Sequence, residues 1–288
     1  MKNILITGAN GFIGKYLVKN FKCTGYTVLY GTTSRIRNTN YYNFNNLYSD
    51  IDEILKNTSI DIIIHLASII PISFDKANID LFIDNTKMMH NLSEFASKKK
   101  VKKFIYLSSF GSMNNVIKYD IKDYYTLSKI MGEHICSIME SKGIETASLR
   151  ISSPFGEFNK KNNVLNMFID SALLDKDINV YGRGEREQNF IYVGNINECI
   201  QRCIEYKVNG IYDLVNKSNI NMISLAQVIV KLTNSKSKIV IGGKDDPLEN
   251  TKLCNFSLDR VKKELHYEET ISFEDAIVNY IKWKKENI

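Results

Sequence analysis

The stretch Gly8-Ala9-Asn10-Gly11-Phe12-Ile13-Gly14 follows directly on an apolar run at positions 3–7. A short β-branched run that breaks into glycines and continues as an amphipathic segment, residues 11–21, reads as a strand entering a helix through a tight turn. Glycine allows the backbone angles and the close approach by which the amides of such a turn, and the helix N-terminus behind it, face a pyrophosphate. The spacing is G-x-x-G-x-x-G, not the more familiar G-x-G-x-x-G. A connection whose glycines serve packing alone would satisfy it as well. Its place behind the first strand favours phosphate binding, with Gly8, Gly11, Phe12, Ile13 and Gly14 in contact.

The same alternation runs onward. Short apolar runs at 27–30, 61–67, 103–108 and 145–151 are separated by amphipathic stretches at 81–97 and 124–141. β-Branched runs between helical ones build β-α-β units around a parallel sheet. The expected fold is α/β: a doubly wound parallel sheet over residues 1–153 and a smaller, mixed α/β C-terminal substrate lobe over 154–288, with segments near 188–215 returning to the first domain. Beyond Pro154 the pattern loosens into longer helices and turns such as Tyr181-Gly182-Arg183-Gly184.

A chain of 288 residues buries a real core without staples. With 44% hydrophobic and 24% charged residues it has a globular composition, not a disordered one. The net charge of +6 comes from 38 basic and 32 acidic residues scattered along the chain. The densest basic cluster, Lys98-Lys99-Lys100-Val101-Lys102-Lys103, lacks interleaved aromatics and reads as a solvated loop, so no nucleic-acid partner is expected. Cysteines at 23, 136, 199, 203 and 254 are odd in number and form no C-x-x-C, which argues against a disulfide framework and against a metal site. Cys199 and Cys203, four apart, read as the buried face of a helix. No apolar run approaches the ~20 residues of a membrane span, so no membrane partner is expected and a cytoplasmic location follows by default.

Behind the second strand the chain reads Tyr30-Gly31-Thr32-Thr33-Ser34-Arg35-Ile36-Arg37. A carboxylate there would repel a 2′-phosphate, whereas small hydroxyls followed by arginine accept one, so Thr32, Ser34 and Arg35 favour NADP over NAD. The alternative is that Arg35 and Arg37 solvate a loop.

Tyr125-Thr126-Leu127-Ser128-Lys129 sets a phenol and an ammonium on one helix face. The chain holds a second Y-x-x-x-K, Tyr280 to Lys284, so the pattern alone decides nothing. Position separates the two. Tyr125 begins a helix after a strand that ends at Ser108-Ser109, at the carboxyl edge where open α/β sheets bind ligands. Tyr280 has no such strand, and Trp283 marks a packed helix. A free phenol titrates near pH 10, and an adjacent cation is expected to lower that toward the range where it transfers protons well.

Further motifs follow in order: Ser49-Asp50-Ile51, His65-Leu66-Ala67, Asn85 ahead of Asn91-Leu92, Arg150-Ile-Ser-Ser-Pro-Phe-Gly156, Tyr181 to Gly184, Gln188-Asn-Phe-Ile-Tyr-Val193, and a closing segment over 259–283. With these assembled, the chain resembles the extended short-chain dehydrogenase/reductase family, the NAD(P)-dependent epimerases, dehydratases and reductases of nucleotide sugars, over nearly its whole length. The resemblance implies a Rossmann-type sheet and a dinucleotide, NADP or NAD. Asp50 and Ile51 would lie at the adenine, with Leu66, Ala67, Ser68, Asn85 and Ser152 among the other cofactor contacts. Tyr125 would be the proton donor or acceptor at a sugar oxygen, Ser109 would hydrogen-bond the same oxygen, and Lys129 would lower the phenol pKa and hold the nicotinamide ribose. Ser153, Arg183 and Gln188 would contact the substrate. A homodimer is implied, packed through the Tyr125 helix and the one before it, with Ile130, Ile135 and Ile138 as available apolar positions.

The departures matter equally. Phe110-Gly111 stand where the dehydratases carry an Asp-Glu pair, which argues against loss of water. Ser153 replaces a common asparagine, and Gln188-Asn189 replaces the Arg-Asp that holds a diphosphate, a task open to Arg183 or Arg186. Met88 and Met89 replace the usual Gly-Thr and read as helix packing. The expected activity is reduction of a 4-keto-6-deoxy nucleotide sugar. The alternatives are a 4-epimerase with tightly held NAD and, from another class, a non-catalytic dinucleotide-binding protein.

Overall fold

The structure, a computed structural model, describes residues 2–287 except 23, 37, 39, 74, 75, 115–122, 161 and 251–254. Cys23, Arg37 and Cys254 therefore lie outside the described residues.

From the N-terminus the chain forms β1 (Lys2–Thr7), α1 (Phe12–Asn20), β2 (Tyr26–Thr32), β3 (Tyr41–Asn43), α2 (Ile51–Ile54), β4 (Ile62–His65), α3 (Ile79–Lys98), β5 (Lys103–Ser109), α4 (Tyr124–Ser141) and β6 (Glu145–Ile151). It continues through β7 (Ser153–Phe155), α5 (Val164–Leu173), β8 (Ile178–Val180), β9 (Glu187–Gln188), β10 (Phe190–Tyr192) and α6 (Val193–Glu205). Then come β11 (Gly210–Leu214), β12 (Ile220–Asn221), α7 (Met222–Thr233), β13 (Ile239–Ile241), α8 (Asp259–Leu265) and α9 (Phe273–Asn287).

Two compact units result. The first comprises Met1–Ile151, Asn197–Leu214 and Phe256–Glu268; the second comprises Ser152–Ile196, Val215–Asn255 and Glu269–Ile288. The first carries a seven-stranded sheet in the order β11-β6-β5-β4-β1-β2-β3, with every pairing parallel. A parallel sheet covered on both faces needs continuous apolar strands, and Ile4-Leu5-Ile6 and Ile62-Ile63-Ile64 are buried without alternation. On one face Leu5, Leu29, Ile63 and Phe104 meet Met88, Met89, Leu92 and Phe95 of α3, so both methionines are packing residues. Side chains start the long helices: Asn78 accepts the Leu81 amide at 3.0 Å and Asp123 the Thr126 amide at 2.7 Å.

The basic cluster is not simply a solvated loop. Lys98 pairs with Asp52, Lys99 donates to the Leu55 and Lys56 carbonyls, and Lys102 pairs with Asp61. Lys103 is buried and donates to the carbonyls of Cys203, Ile204 and Tyr206, capping the C-terminal end of α6, where cations are favoured. Cys199 and Cys203 are fully buried free thiols on that helix.

The second unit holds three strand pairs, β7 with β10, β9 with β12, and β8 with β13. Tyr280 belongs to its core: the hydroxyl donates to the Asn159 carbonyl, Trp283 stacks on its ring, and Lys284 pairs with Asp170. The second Y-x-x-x-K is thus structural. Among the described residues no helix is long and apolar enough to cross a membrane.

Candidate active site

The parallel register aligns Thr7 with Gly31 and His65, and His65 with Tyr106, so the carboxyl ends of β1, β2, β4 and β5 open at one edge. Strand order reverses about β1, which is where such sheets bind ligands. Gly8 adopts φ +70°, and a Cβ there would lie 2.6 Å from the Ala67 nitrogen. A Cβ on Gly14 would strike the Gly8 carbonyl and the Ala9 backbone. Packing alone therefore demands these two glycines. Gly11 is different: it opens α1 with no side-chain cap, and its Cβ would meet only the Gly8 oxygen at 3.2 Å, with open space otherwise. The amides behind it face outward at the positive end of the helix.

Beneath the turn lies a residue that sequence reasoning missed. Tyr48 is fully buried at φ +56°, and its hydroxyl accepts the Gly8 N–H at 3.3 Å and bonds the Thr7 side chain. Thr7 Oγ1 in turn lies 2.7 Å from His65 Nδ1. Burial pushes Tyr48 up to about 12 and His65 down to about 3, so the network is uncharged at neutral pH. Its neighbours in sequence are Asp50 and Ile51, expected at the adenine. Both Asp50 oxygens accept the Asn45 amide, and Ile51 is in the core.

At the end of β2, Thr32 is buried and its Oγ1 accepts the Ser34 amide at 3.0 Å. Asn10 of the glycine turn donates to Ser34 Oγ at 3.1 Å, which brings this loop beside the turn, with Arg35 exposed. Behind β4, Leu66, Ala67 and Ser68 are half-buried, and Asn85 of α3 clamps the next residue, accepting from Ile69 N at 2.8 Å and donating to Ile69 O at 3.0 Å.

The phenol of Tyr125 hydrogen-bonds Ser68, while Ser109 Oγ accepts the Gly111 amide at 3.3 Å. Lys129 is buried. Its Nζ donates to the Leu107 carbonyl at 2.9 Å and lies 5.1 and 5.6 Å from the ring centres of Tyr106 and Tyr125. The expected lowering of the phenol pKa is absent: burial raises Tyr125 and brings Lys129 down to about 8, because each charged form loses hydration. The arrangement still joins a proton-bearing phenol, two small hydroxyls and a readily charged amine at one sheet edge.

In the second unit, Ser152 is buried and its Oγ has no partner among the described residues, an open polar contact suited to a ligand. Ser153 Oγ accepts from Gln188 Nε2 at 2.6 Å, and Gln188 Oε1 accepts from Arg186 Nη1 at 3.2 Å. Arg186 is anchored on Asp246 at 2.7 Å. Arg183 stands apart, exposed on Glu185. Asn189 is structural, its amide donating to the Asn216 and Ser218 carbonyls.

A parallel sheet with an open helix N-terminus at its switch point and a Tyr-Lys pair at the same edge is the build of a dinucleotide-dependent enzyme that moves protons. The model of the NAD dependent epimerase/dehydratase family matches residues 4–216, and the chain belongs to that family, as an enzyme of the extended short-chain dehydrogenase/reductase type. It is 26% identical to the dTDP-4-dehydro-6-deoxyglucose reductase of Escherichia coli, over 97% of this chain and 96% of that protein. It is 26% identical to a putative UDP-glucose 4-epimerase of Methanocaldococcus jannaschii, over 99% of each. The crystal structure of the UDP-glucose 4-epimerase of Thermotoga maritima superposes with a TM-score of 0.86 at 19% identity, covering 99% of each chain.

Gly11, the bare N-terminus of α1 and the Asn10–Ser34 contact fit a dinucleotide's phosphates and adenosine. When bound, the nicotinamide supplies hydride transfer.

Proposed function

We propose that this enzyme reduces the keto group of a 4-keto-6-deoxy nucleotide sugar with NADPH. The observation that carries the reading is the end of β2. Residues 32–38 contain no carboxylate, Ser34 is held against the glycine turn by Asn10, and Arg35 is exposed beside it. A 2′-phosphate meets hydroxyls and a cation there, and a reductase needs such an exchangeable cofactor. After Ser109 come Phe110 and Gly111, and a side chain at 111 would crowd Thr126 Oγ1, which speaks against an acid-base pair for dehydration.

Tyr125 would give its proton to the sugar oxygen, Ser109 and Ser68 would orient the phenol and that oxygen, and Lys129 would offset the phenolate charge, the bound nicotinamide being the source of the hydride. Ser153, Gln188 and Arg186 contact the diphosphate, with Arg186 in place of Arg183 because Asp246 holds it ready. The enzyme acts as a homodimer in the cytoplasm. Ile138, 56% exposed on α4, and Ile83, 52% exposed on α3, supply apolar contact, whereas Ile135 packs on the chain's own core.

Purified protein should bleach the NADPH absorbance with a 4-keto-6-deoxy nucleotide sugar; no loss of absorbance across a panel of such sugars overturns the reading. The second reading is 4-epimerisation, supported by the equal match to the putative epimerase. Protein that purifies with tightly held NAD, and converts sugar epimers without added cofactor, would establish it.

A further inference from the structure

One buried ion pair has no part in the chemistry above. Glu133 lies one turn beyond Lys129 on α4, with its side chain 5% exposed. It accepts Arg150 Nε at 2.8 Å and Nη2 at 2.7 Å, and Ser108 Oγ at 2.5 Å. A buried pair of this kind returns little net stability, because desolvation of both ions offsets their attraction, so its presence asks for another reason. The geometry supplies one: the same helix face carries Tyr125, Lys129 and Glu133 at successive turns, and Ser108 is the residue before Ser109.

We propose that Glu133 is a positioning residue whose carboxylate, fixed by Arg150 and Ser108, keeps the buried Lys129 ammonium charged beside the Tyr125 ring. Lys129 needs such help. Its hydrogen bond to the Leu107 carbonyl and its two aromatic faces do not replace the water it has lost.

The other groups around it do not take this role. From β5 comes the Tyr106 phenol, which burial keeps protonated, and from β4 comes His65, likewise kept neutral. On α4 the Cys136 thiol is pushed up to about 12. From β6, Arg150 adds positive charge. From β11, Asp213 acts on the Glu133–Arg150 pair, with its carboxyl raised above the ordinary value by burial. From α3, Asn85 reaches Ser128 and is uncharged. Glu133 is the carboxylate whose field opposes the burial of Lys129.

The inference rests on the reading of Tyr125 and Lys129 as the acid-base pair, and its test is separable from that reading. The full chain is labelled with 13C at the lysine ε-carbon, and the Lys129 resonance is assigned by its disappearance in Lys129→Met. Its titration midpoint, near 8 in the natural chain, should fall by about one pH unit or more in Glu133→Gln. Glu133→Asp, which keeps a carboxylate, should bring it back toward the natural value. An unmoved midpoint in Glu133→Gln overturns the proposal. Should that variant fail to fold, Arg150→Met is compared with Glu133→Gln/Arg150→Met, which differ only in the carboxylate: a lower midpoint in the double variant supports the proposal and equal midpoints overturn it. If the proposed reaction is wrong, the natural chain turns over no keto sugar while the midpoint still falls. If the inference is wrong, turnover is present and the midpoint stays.

Discussion

Gly11→Ala and Gly14→Ala separate the two tasks of the glycine turn. A methyl at 14 runs into backbone atoms of residues 8 and 9, which no rotamer change can relieve, so α1 must shift off the turn. Overpacking of that kind costs about 3 kcal/mol, or a fall in melting temperature on the order of 10 °C for a chain of this size. A methyl at 11 meets one carbonyl oxygen at 3.2 Å, and the backbone there, φ −73° and ψ 178°, is open to alanine. The cost is the weaker helix start, about 0.5–1 kcal/mol. Yet this methyl projects where a phosphate would approach the α1 amides, and NADPH affinity should drop at least about tenfold, or ~1.4 kcal/mol. Thermal unfolding of the cofactor-free chain and NADPH fluorescence titration measure the two effects. Gly11→Ala that binds NADPH like the natural chain would refute the assignment and leave the turn as packing only.

Three other outcomes follow from the same geometry. Lys129 binds its proton up to an ordinary 10.5 when unfolded but only to about 8 when folded. The fold therefore carries the cost of a buried charge below pH 8, and stability rises with pH between 8 and 10.5. Lys129→Met should gain about 2–3 kcal/mol at pH 7, the gain fading to nothing by pH 10.5, while activity is lost; urea unfolding across that range gives the answer, and a flat difference would contradict it. Asp246→Ala releases Arg186 and should raise KM for the sugar nucleotide about tenfold with little change in kcat, since a binding contact is lost and not a transition-state one. If the chain pairs through α3 and α4 as proposed, the natural chain should sediment as a dimer and Ile138→Glu as a monomer, and a dimer that survives the substitution would refute that interface.

Five strands of the sheet, β1, β2, β4, β5 and β6, were legible because each is a short, largely apolar run rich in β-branched residues, whereas the short β3 and the edge strand β11 were not read as strands. The glycine turn was legible for the same local reason, as were Tyr125 and Lys129. Contacts between distant positions were not. Tyr48 carries no local sign of a left-handed backbone, and its hydroxyl is committed to Gly8, 40 positions away. Ser68 meets Tyr125 only once β4 and α4 are placed. Glu133 had one available signal, the continuation of the Tyr125–Lys129 spacing by four more residues, but its partner Arg150 lies on another strand. The phenol's acidity was misjudged because charge can be read from sequence whereas lost hydration cannot. Likewise Lys103 looked solvated among lysines until α6 arrived to bury it.

That last contact bears on how the chain is made. During synthesis β1 to β6 emerge first, but β6 gains its outer neighbour, β11, only after residue 214 has left the ribosome, and α8 comes later still. Until then β6 offers an unpaired edge to any passing strand, and Lys103 has no helix end to cap. A nascent chain arrested near residue 151 should therefore be aggregation-prone, since the native sheet is complete only when β11 has paired with β6, and the Cys203, Ile204 and Tyr206 carbonyls that cap onto Lys103 come from the segment just before it.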